Sequence, residues 1–161
     1  MEIRNKVRAI AHDFDVARVT LRGIPDRPGI ATSIFEPLAK ASISIDTIVQ
    51  NSGMDNLANL SFTVSLDELD KAMRIVKPIS ETLKAESCMS DDKLAKVSIV
   101  GTGMQNTPGY AAKMFSTLYQ QGINIEMITT SEIRITCIVD RDKAKEAIKA
   151  LHKAFELEKV D

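Results

Sequence analysis

Apolar positions recur along the first half of the chain at spacings that alternate between those of strands and those of helices. A β-branched stretch around Val19–Leu21 ends at Gly23 and Pro25, which predicts a strand closed by a turn. Apolar residues at every fourth position then predict a helix: Ile30, Ile34 and Leu38. Alternating residues predict two more strands, the first with Ile43, Ile45 and Thr47 and the second with Leu60, Phe62 and Val64. A second helical stripe follows, with Leu69, Ala72, Val76, Ile79 and Leu83, and a short strand near Glu86–Ser90 closes this half.

Two prolines affect where the first helix is expected to begin and end. Pro28 suits a position in its first turn, where no amide donor is needed. Pro37 falls inside the predicted helix and has no counterpart in the second half of the chain, where Thr117 stands. We therefore expect a kink or an early end of the helix at Pro37.

The second half of the chain repeats the first. Residues 26–51 fall on residues 106–131 at a shift of 80 positions, and eight positions are then identical, namely Pro28, Gly29, Ala31, Phe35, Leu38, Ile43, Ile45 and Ile48. Residues 17–23 match 95–101 at a shift of 78, and residues 60–64 match 133–137 at a shift of 73. The second helical stripe has its equivalent in Ala147, Ile148, Leu151 and Phe155. The polar run at Ser90–Lys93 marks the boundary between the copies.

Each copy has the element order βαββαβ, which predicts an α+β protein of two ferredoxin-like domains, each an antiparallel four-stranded sheet with two helices on one face. The predicted domains are residues 17–92 and 93–161. In the second copy only Leu157–Val160 remains for a final strand, and that segment is short. A spare strand, Lys6–Ala11, precedes the first copy, so we expect residues 6–13 to complete the sheet of the second domain.

Composition narrows the function classes. Twenty-one basic against 22 acidic residues give a net charge of −1, which offers no electrostatic case for a nucleic-acid or membrane partner. Two cysteines are too few for a disulfide framework and favour a reducing compartment. The sequence has neither the apolar stretch of a signal peptide nor a run long enough to span a membrane, so a cytoplasmic protein is expected.

Residues able to do chemistry are scattered. His12 and His152 have no ligand cluster at metal spacing, and we expect neither a metal nor a cofactor. Cys88 and Cys137 form no C-x-x-C pair and are expected to be buried small hydrophobes. The strands offer only Phe62 for stacking on a nucleic-acid base. We find no catalytic set.

The segment GTGMQNTPG (101–109) is glycine-rich, follows a predicted strand and precedes a predicted helix. It lacks the third glycine of a dinucleotide fingerprint, because Asn106 stands there, and it lacks the Gly-Lys-Ser/Thr of a P-loop. A phosphate site is therefore not expected.

Each copy also places Pro-Gly at the start of a helix. Backbone N–H groups and the helix dipole favour an anion there, and the α-carboxylate of a free amino acid is one of suitable size. Asp26 in the first loop is positioned to meet an α-ammonium group, whereas the second loop has the neutral Asn106. The alternative is that Pro-Gly only starts the helix.

Five segments together resemble the tandem ACT domains at the C-terminus of aspartokinase: VTLRGIPDRPGIA, IDTIVQN, KVSIVGTGM, NTPG and INIEMITTSEIRI. The opening VRAIAHDFDVARVTL resembles the segment that leads from the kinase domain into the first ACT domain of that family. The resemblance covers nearly the whole chain, while nothing in it resembles the ATP- and aspartate-binding kinase domain. It implies a regulatory β subunit or regulatory fragment without a catalytic site.

The resemblance implies that the chain mediates feedback inhibition of aspartate phosphorylation by lysine, threonine or both, bound where ACT domains meet. One implied site consists of Asp26, Arg27, Pro28, Gly29, Ile30, Ala31 and Gln50, facing Asn124 and Ile125 of another repeat. The other consists of Met104, Thr107, Pro108, Gly109, Tyr110 and Ala111, facing Ser44, Ile45 and Asp46. Glu126, Ser131 and Glu132 match positions that contact lysine in some family members. Tyr110 and Ala111 depart from the smaller or hydroxylated residues that occur there, and Tyr110 is expected to narrow the second pocket.

The implied partners are a free amino acid, a second copy of this chain in a symmetric dimer, and an aspartokinase catalytic domain or α subunit. Two other functions remain open on the sequence alone. One is a stand-alone amino-acid sensor that controls a different enzyme or a transcription regulator. The other is an enzyme with acid–base chemistry from Asp26, Asp46 or Glu132.

Overall fold

The computed structural model describes residues 5–157, and this part of the chain contains six strands and four helices. In chain order they are β1 (Val7–Pro25), α1 (Ile30–Lys40), β2 (Ile48–Ser52), β3 (Leu57–Ser65), α2 (Leu69–Thr82), β4 (Ser87–Gly101), α3 (Tyr110–Gln120), β5 (Met127–Thr130), β6 (Arg134–Asp140) and α4 (Ala144–Ala154). Short 3₁₀ turns precede three of the helices, at Leu66–Glu68, Met104–Asn106 and Arg141–Lys143.

The chain divides into two compact units, and one unit interrupts the other. Residues 15–92 form the inserted unit, and residues 5–14 together with 93–157 form the split unit. Both divisions fall inside a strand, because β1 and β4 each run from one unit into the other. The sequence predicts separate strands at Lys6–Ala11 and Val19–Leu21, but the structure has a single continuous strand there.

In the inserted unit the strands lie in the order β4, β1, β3, β2. The antiparallel pairing of β1 with β3 aligns Val19 with Phe62 and Leu21 with Leu60, so these side chains share one face of the sheet. They form a core with the buried stripes of both helices: Ile30, Ile34 and Leu38 of α1, and Leu69, Ala72 and Val76 of α2. The unit is thus a complete βαββαβ fold with its helices on one face, as predicted.

In the split unit the strands lie in the order β1, β4, β6, β5. The final strand of the βαββαβ pattern comes from the opposite end of the chain, since the first half of β1 lies beside β4 and Val7 is buried in this unit's core. That core also takes Ala144, Ala147 and Leu151 from α4 and Met114 and Leu118 from α3. Of the alternative strand Leu157–Val160, only Leu157 falls within the described residues, where it packs against the same core.

The second strand of the first repeat begins later than the sequence predicts. Residues 43–47 are not a strand, and β2 starts at Ile48. Thr47 still exchanges bonds with β3, because its carbonyl accepts from the Thr63 amide at 3.0 Å. Its own amide, however, donates to the Thr63 side-chain oxygen at 3.1 Å. A side chain thus replaces a backbone acceptor, and the regular ladder stops there.

The match of residues 60–64 to 133–137 is wrong by two positions. Val19 pairs with Phe62 in β1–β3, while its repeat counterpart Val97 pairs with Cys137 in β4–β6. The structural shift of this strand is therefore 75 rather than 73 residues. Because side chains alternate with a period of two, a two-residue error leaves the inward face unchanged and hides in the sequence pattern.

The prolines of α1 also differ from expectation. The helix begins at Ile30 after Gly29, so Pro28 precedes the N-cap instead of occupying the first turn. It continues through Pro37 to Lys40, so the predicted early end is wrong. Phe62, the one strand residue considered above for stacking on a nucleic-acid base, is fully buried. Its ring meets that of Phe35 edge-on, with the ring centroids 5.2 Å apart.

Candidate functional site

Helices α1 and α3 both begin at a glycine in the left-handed conformation. Gly29 has φ 92° and Gly109 has φ 103°, and a Cβ at either position would meet nothing within 4 Å. The positive φ angle, rather than a lack of room for a side chain, therefore explains why glycine occurs at these two positions. A glycine N-cap supplies no side-chain oxygen, so neither helix start has a side-chain cap. In α1 the first amide, that of Ile30, donates instead to the Arg27 carbonyl at 3.4 Å.

The loop of the inserted unit lies open at the start of α1. Its backbone is tied to the β2–β3 turn, since the Asp26 amide donates to the Asn56 carbonyl at 2.8 Å. The predicted residues around it are exposed except Ile30, whose side chain is in the core: Asp26, Arg27, Pro28, Gly29 and Ala31. Gln50 is exposed on β2 opposite Leu60.

The segment after α1 carries the predicted facing residues Ser44, Ile45 and Asp46. Ser44 and Asp46 are exposed, while Ile45 packs against the core of the inserted unit. The Asp46 amide donates to the Thr63 carbonyl at 3.2 Å, which fixes the backbone here.

In the split unit the equivalent loop borders a cavity of about 550 Å³, which we call the loop cavity. Its wall contains eight of the predicted residues: Met104, Thr107, Pro108, Gly109, Tyr110, Ala111, Ser131 and Glu132. Three more that the sequence did not single out complete it: Gln105, Thr130 and Ile135. A volume of this size is within the range of small-molecule sites.

The loop cavity combines an apolar base with a polar rim. Met104 and Ile135 are buried, whereas Ser131 and Glu132 are exposed. The Ser131 side-chain oxygen accepts from the Arg134 amide at 3.1 Å, and the Ser131 amide donates to the Arg134 carbonyl at 2.8 Å. These bonds hold the turn after β5, which sets Glu132 at the rim opposite the start of α3.

Asn124, Ile125 and Glu126 lie at the other end of β5 and are not among the residues that line this cavity. Ile125 packs against the core of the split unit, and the Glu126 amide donates to the Ile138 carbonyl at 2.7 Å. The sequence grouped Glu126 with Ser131 and Glu132. The structure separates them by the length of β5, because Glu126 precedes this strand whereas Ser131 and Glu132 follow it.

Tyr110 forms a wall that the loop cavity shares with a second cavity of about 330 Å³. Its ring stacks on Phe155, with centroids 6.4 Å apart and planes 13° apart. The second cavity is lined by Asn5, Thr107, Pro108, Gly109, Tyr110, Lys113, Phe155 and Glu156. Tyr110 thus bounds both cavities.

Lys6 was not recognised from the sequence, yet it contacts the same loop three times. Its ammonium group donates to the Thr107 hydroxyl at 2.6 Å and to the Gly103 carbonyl at 3.4 Å. Its backbone amide donates to the Tyr110 hydroxyl at 2.9 Å. These partners lie about one hundred positions away in the chain, so local sequence carried no signal for them.

Lys6 also explains the glycines of the GTG segment. A Cβ on Gly101 would collide with the Lys6 carbonyl oxygen, and one on Gly103 would lie 3.4 Å from the Lys6 side chain. The glycines make room for the strand and side chain that arrive from the N-terminal part of the split unit. A glycine-rich loop after a strand therefore has a packing reason here.

Burial shifts the pKa values of both cysteines and of Lys96. Burial raises the pKa of Cys137 to about 12 and raises that of the half-buried Cys88, against a lowering contribution from Ser80. Burial lowers the pKa of Lys96, which Asp13 partly offsets. The expectation that both thiols are buried thus holds for Cys137 alone.

His12 is exposed on β1 and His152 is half-buried on α4. Within residues 5–157, three or more His, Cys, Asp or Glu side chains nowhere gather as metal ligands would. The helices described by the structure are too short or too polar to cross a membrane.

Comparison with known proteins gives the class first. The family model described as "ACT domain" matches twice, over residues 19–78 and 97–155. One match falls in the inserted unit and the other in the split unit. The protein is therefore a tandem ACT-domain protein.

The similar proteins narrow this class. The aspartate kinase of Pseudomonas fluorescens is 43% identical over 152 residues, covering 94% of this chain and 37% of that enzyme. In each of two solved structures, 93% of this chain aligns with 99% of one chain. One is the ligand-free regulatory subunit of aspartate kinase from Thermus thermophilus, with 39% identity and a TM-score of 0.88. The other is a complex of aspartokinase α and β subunits, with 41% identity and a TM-score of 0.87.

The chain belongs to the aspartokinase family, as its ACT-domain regulatory part. It spans 37% to 40% of the length of the first curated relatives it matches. The predicted fold class and family resemblance are confirmed.

Proposed function

We propose that this chain senses lysine, threonine or both and transmits feedback inhibition to an aspartokinase catalytic domain or α subunit. The observation that carries the proposal is the loop cavity, where the start of α3 and the acidic rim residue Glu132 border the same space. The similarity to aspartokinase regulatory subunits supports the same function.

The chemistry of the loop cavity suits a zwitterion. Backbone N–H groups at the start of α3 and the positive end of its dipole favour an α-carboxylate. The carboxylate of Glu132 favours a cationic group, which is the side-chain ammonium in the case of lysine. For threonine, Thr130 and Ser131 offer hydroxyl groups instead. The apolar base formed by Met104 and Ile135 accepts the aliphatic part of either ligand.

We extend the proposal to the first loop and to the segments that the resemblance pairs with it. In this proposal Asp26–Ala31 and Gln50 form an equivalent effector site, completed by Asn124 and Ile125 of a facing ACT domain. Ser44–Asp46 complete the loop-cavity site in the same way, and Glu126 contributes to lysine selection. A symmetric homodimer supplies the facing domains.

We also propose domain limits on this basis. The first ACT domain is residues 17–92, and the second is residues 93–161 completed by residues 6–13. A bound effector acts by its differential affinity for two assemblies of these domains, typically worth about 1–3 kcal/mol of coupling.

The test is calorimetric titration of the chain with L-lysine and with L-threonine, with sedimentation of the same samples. The Glu132→Gln variant keeps the shape of the rim and removes its charge, so lysine binding should weaken about tenfold while threonine binding changes less. Glu146→Gln, an exposed change on α4 away from both cavities, is the matched control. Wild-type chain that binds neither amino acid and does not change its association would contradict the proposal.

The catalytic partner is tested separately. An aspartokinase catalytic chain should co-purify with this one, and its activity should become sensitive to the amino acid that this chain binds. A chain that binds the amino acid but associates with a different enzyme or a transcription regulator would support the stand-alone sensor instead.

A further inference from the structure

We propose that Lys6 is a positioning residue for the loop cavity, which it fixes from outside through Thr107 and Tyr110. That the loop cavity binds an effector rests on the proposed function. That Lys6 holds the loop in place does not depend on it. Lys6 does not line either cavity, whereas Thr107 and Tyr110 line both.

The contacts of Lys6 reach both ends of the Pro-Gly segment. Before it, the ammonium group donates to the Thr107 hydroxyl at 2.6 Å. After it, the Lys6 amide donates to the Tyr110 hydroxyl at 2.9 Å. Pro108 and Gly109, which place the first N–H groups of α3, lie between these two anchors. Lys6, the residue before β1, therefore contacts both flanks of the loop.

The Thr107 hydroxyl has a defined orientation because of this arrangement. It accepts from Lys6 and donates to the Gly103 carbonyl at 3.2 Å, and Lys6 itself donates to that carbonyl at 3.4 Å. The three groups form a closed set of hydrogen bonds. Bonds to a charged donor are stronger than neutral ones, so the ammonium group contributes most to holding the loop.

Residues next to Lys6 keep it in place. The Asn5 side-chain amide donates to the Phe155 carbonyl at 2.6 Å, and its oxygen accepts from the Val7 amide at 3.1 Å. Val7 is buried in the core of the split unit. Both neighbours of Lys6 are thus anchored, and the backbone amide that meets Tyr110 does not depend on the lysine side chain alone.

The inference has a functional consequence. A ligand in the loop cavity that displaces Thr107 or Tyr110 must alter the contacts of Lys6, and a change at Lys6 must alter the cavity. By linkage, ligand affinity and the docking of residues 5–7 are coupled. The glycines at 101 and 103 leave space for Lys6 and so allow the same contacts to form.

Hydrogen exchange of the ligand-free chain tests the positioning role directly. Lys6→Met removes the charged donor and keeps the aliphatic stem, so amides of residues 103–112 should exchange at least about threefold faster. Lys6→Arg keeps a charged donor and should restore most of the protection. Lys149→Met, an exposed change on α4, should leave these amides unchanged. Equal exchange in Lys6→Met and wild-type chain would overturn the proposal.

Titration with L-lysine and L-threonine tests the coupling. If wild-type chain binds either, Lys6→Met should weaken that binding about tenfold, and combining it with Thr107→Val should add little, because both remove the same contact. Unchanged affinity in Lys6→Met would overturn the positioning role. If wild-type chain binds neither, the proposed function fails, and hydrogen exchange alone decides the role of Lys6.

A general loss of structure is distinguished by where exchange rises. Faster exchange confined to residues 103–112 supports the positioning role, whereas an equal rise in α2 of the inserted unit means global destabilisation. In that event Thr107→Val, which removes the same bond without changing charge, takes the place of Lys6→Met. Unchanged protection of the loop in Thr107→Val would then count against the proposal.

Discussion

Cys137 is the residue whose chemistry depends most on its surroundings. It is fully buried on β6, with its sulfur 3.9 Å from that of Met114, and burial raises its pKa to about 12. A thiol in the unfolded chain titrates near its ordinary value of 9.0. Between these two values the folded chain therefore holds a proton that the unfolded chain has lost.

This difference predicts a pH dependence with a definite sign. Because the folded pKa is raised, the contribution is fully present below about pH 9 and is lost as the pH rises towards 12. Urea unfolding at about pH 7 and pH 10 should show a loss of about 1 kcal/mol in wild-type chain that is absent in Cys137→Ala. All other groups are the same in the two proteins, so the difference between their losses isolates the contribution of Cys137. Parallel losses would mean that Cys137 does not carry the effect.

Single residues also show what sequence can and cannot reveal about the site. Gly109 and Tyr110 were found because Pro-Gly and the helical pattern around it are local features. Lys6 was missed because its role depends on contacts with Gly103, Thr107 and Tyr110, far along the chain. Gln105 and Thr130 were missed because they bear no pattern of their own and join the site only through the fold.

Helices α1 and α3 occupy the same place in the two repeats, but one interior position gives them different backbone hydrogen bonding. Pro37 lies within α1 and cannot donate to the preceding turn. Its counterpart Thr117 is buried in α3 and donates its hydroxyl to the Lys113 carbonyl at 2.7 Å. The inserted unit therefore carries a helix with one backbone bond fewer.

Replacing that proline should stabilise the chain. An interior proline costs about 3 kcal/mol relative to alanine, while its restriction of the unfolded chain returns at most about 1 kcal/mol. Because the surrounding structure has already relaxed around Pro37, we expect a smaller gain than this difference. Pro37→Ala should raise the free energy of unfolding by about 1–2 kcal/mol.

Denaturant unfolding measures the effect, and the exposed change Thr32→Ala on the same helix should stay within about 0.5 kcal/mol of wild type. A Pro37→Ala variant no more stable than wild type would mean that the proline fits α1 without cost.

At the level of elements, the sequence predicted helices better than strand limits. The stripe from Ile30 to Leu38 has one helical phase and all of it is buried. The limits of a strand depend on its hydrogen bonds to neighbouring strands. Strand β2 starts at Ile48 because a threonine side chain interrupts the ladder before it. The pairing of β6 differs by two residues from the sequence match, since a period of two fits both registers.

The whole molecule consists of one unit interrupted by another. The repeat made the fold predictable, because two weak patterns with the same order constrain each other. The continuity of β1 and β4 from one unit into the other was not evident, since polar residues interrupt the apolar pattern of each strand, at His12–Asp13 in β1 and at Ser90–Lys93 in β4. The leading part of β1 belongs to the split unit, and Val7 is buried in the core of that unit.

Fragments test the independence of the units. Residues 15–92 contain all four strands of the inserted unit and should fold alone with a cooperative thermal transition. Residues 93–161 lack the strand supplied by β1 and should not fold, because the edge of β4 and the core beside Val7 are exposed.

A permuted chain of residues 93–157, a short Gly/Ser linker and residues 5–14 should restore folding. The linker needs little length, since Asn5 donates to the Phe155 carbonyl at 2.6 Å. Circular dichroism and thermal melting distinguish these results. Stable folding of residues 93–161 alone would show that β1 is dispensable for the split unit.

The interrupted arrangement of the split unit also sets an order of events on the ribosome. The leading half of β1 is synthesised before its partner in β4, whose split-unit part begins at Lys93, about 80 residues later. At about 5–20 residues per second the nascent segment waits about 4–16 s, while the inserted unit is completed and becomes able to fold. During this delay Val7 and its neighbours present an unpaired strand to other polypeptides near the exit tunnel. The charged and polar residues of this segment, such as Arg8, His12 and Asp13, keep the waiting strand a poor template for aggregation.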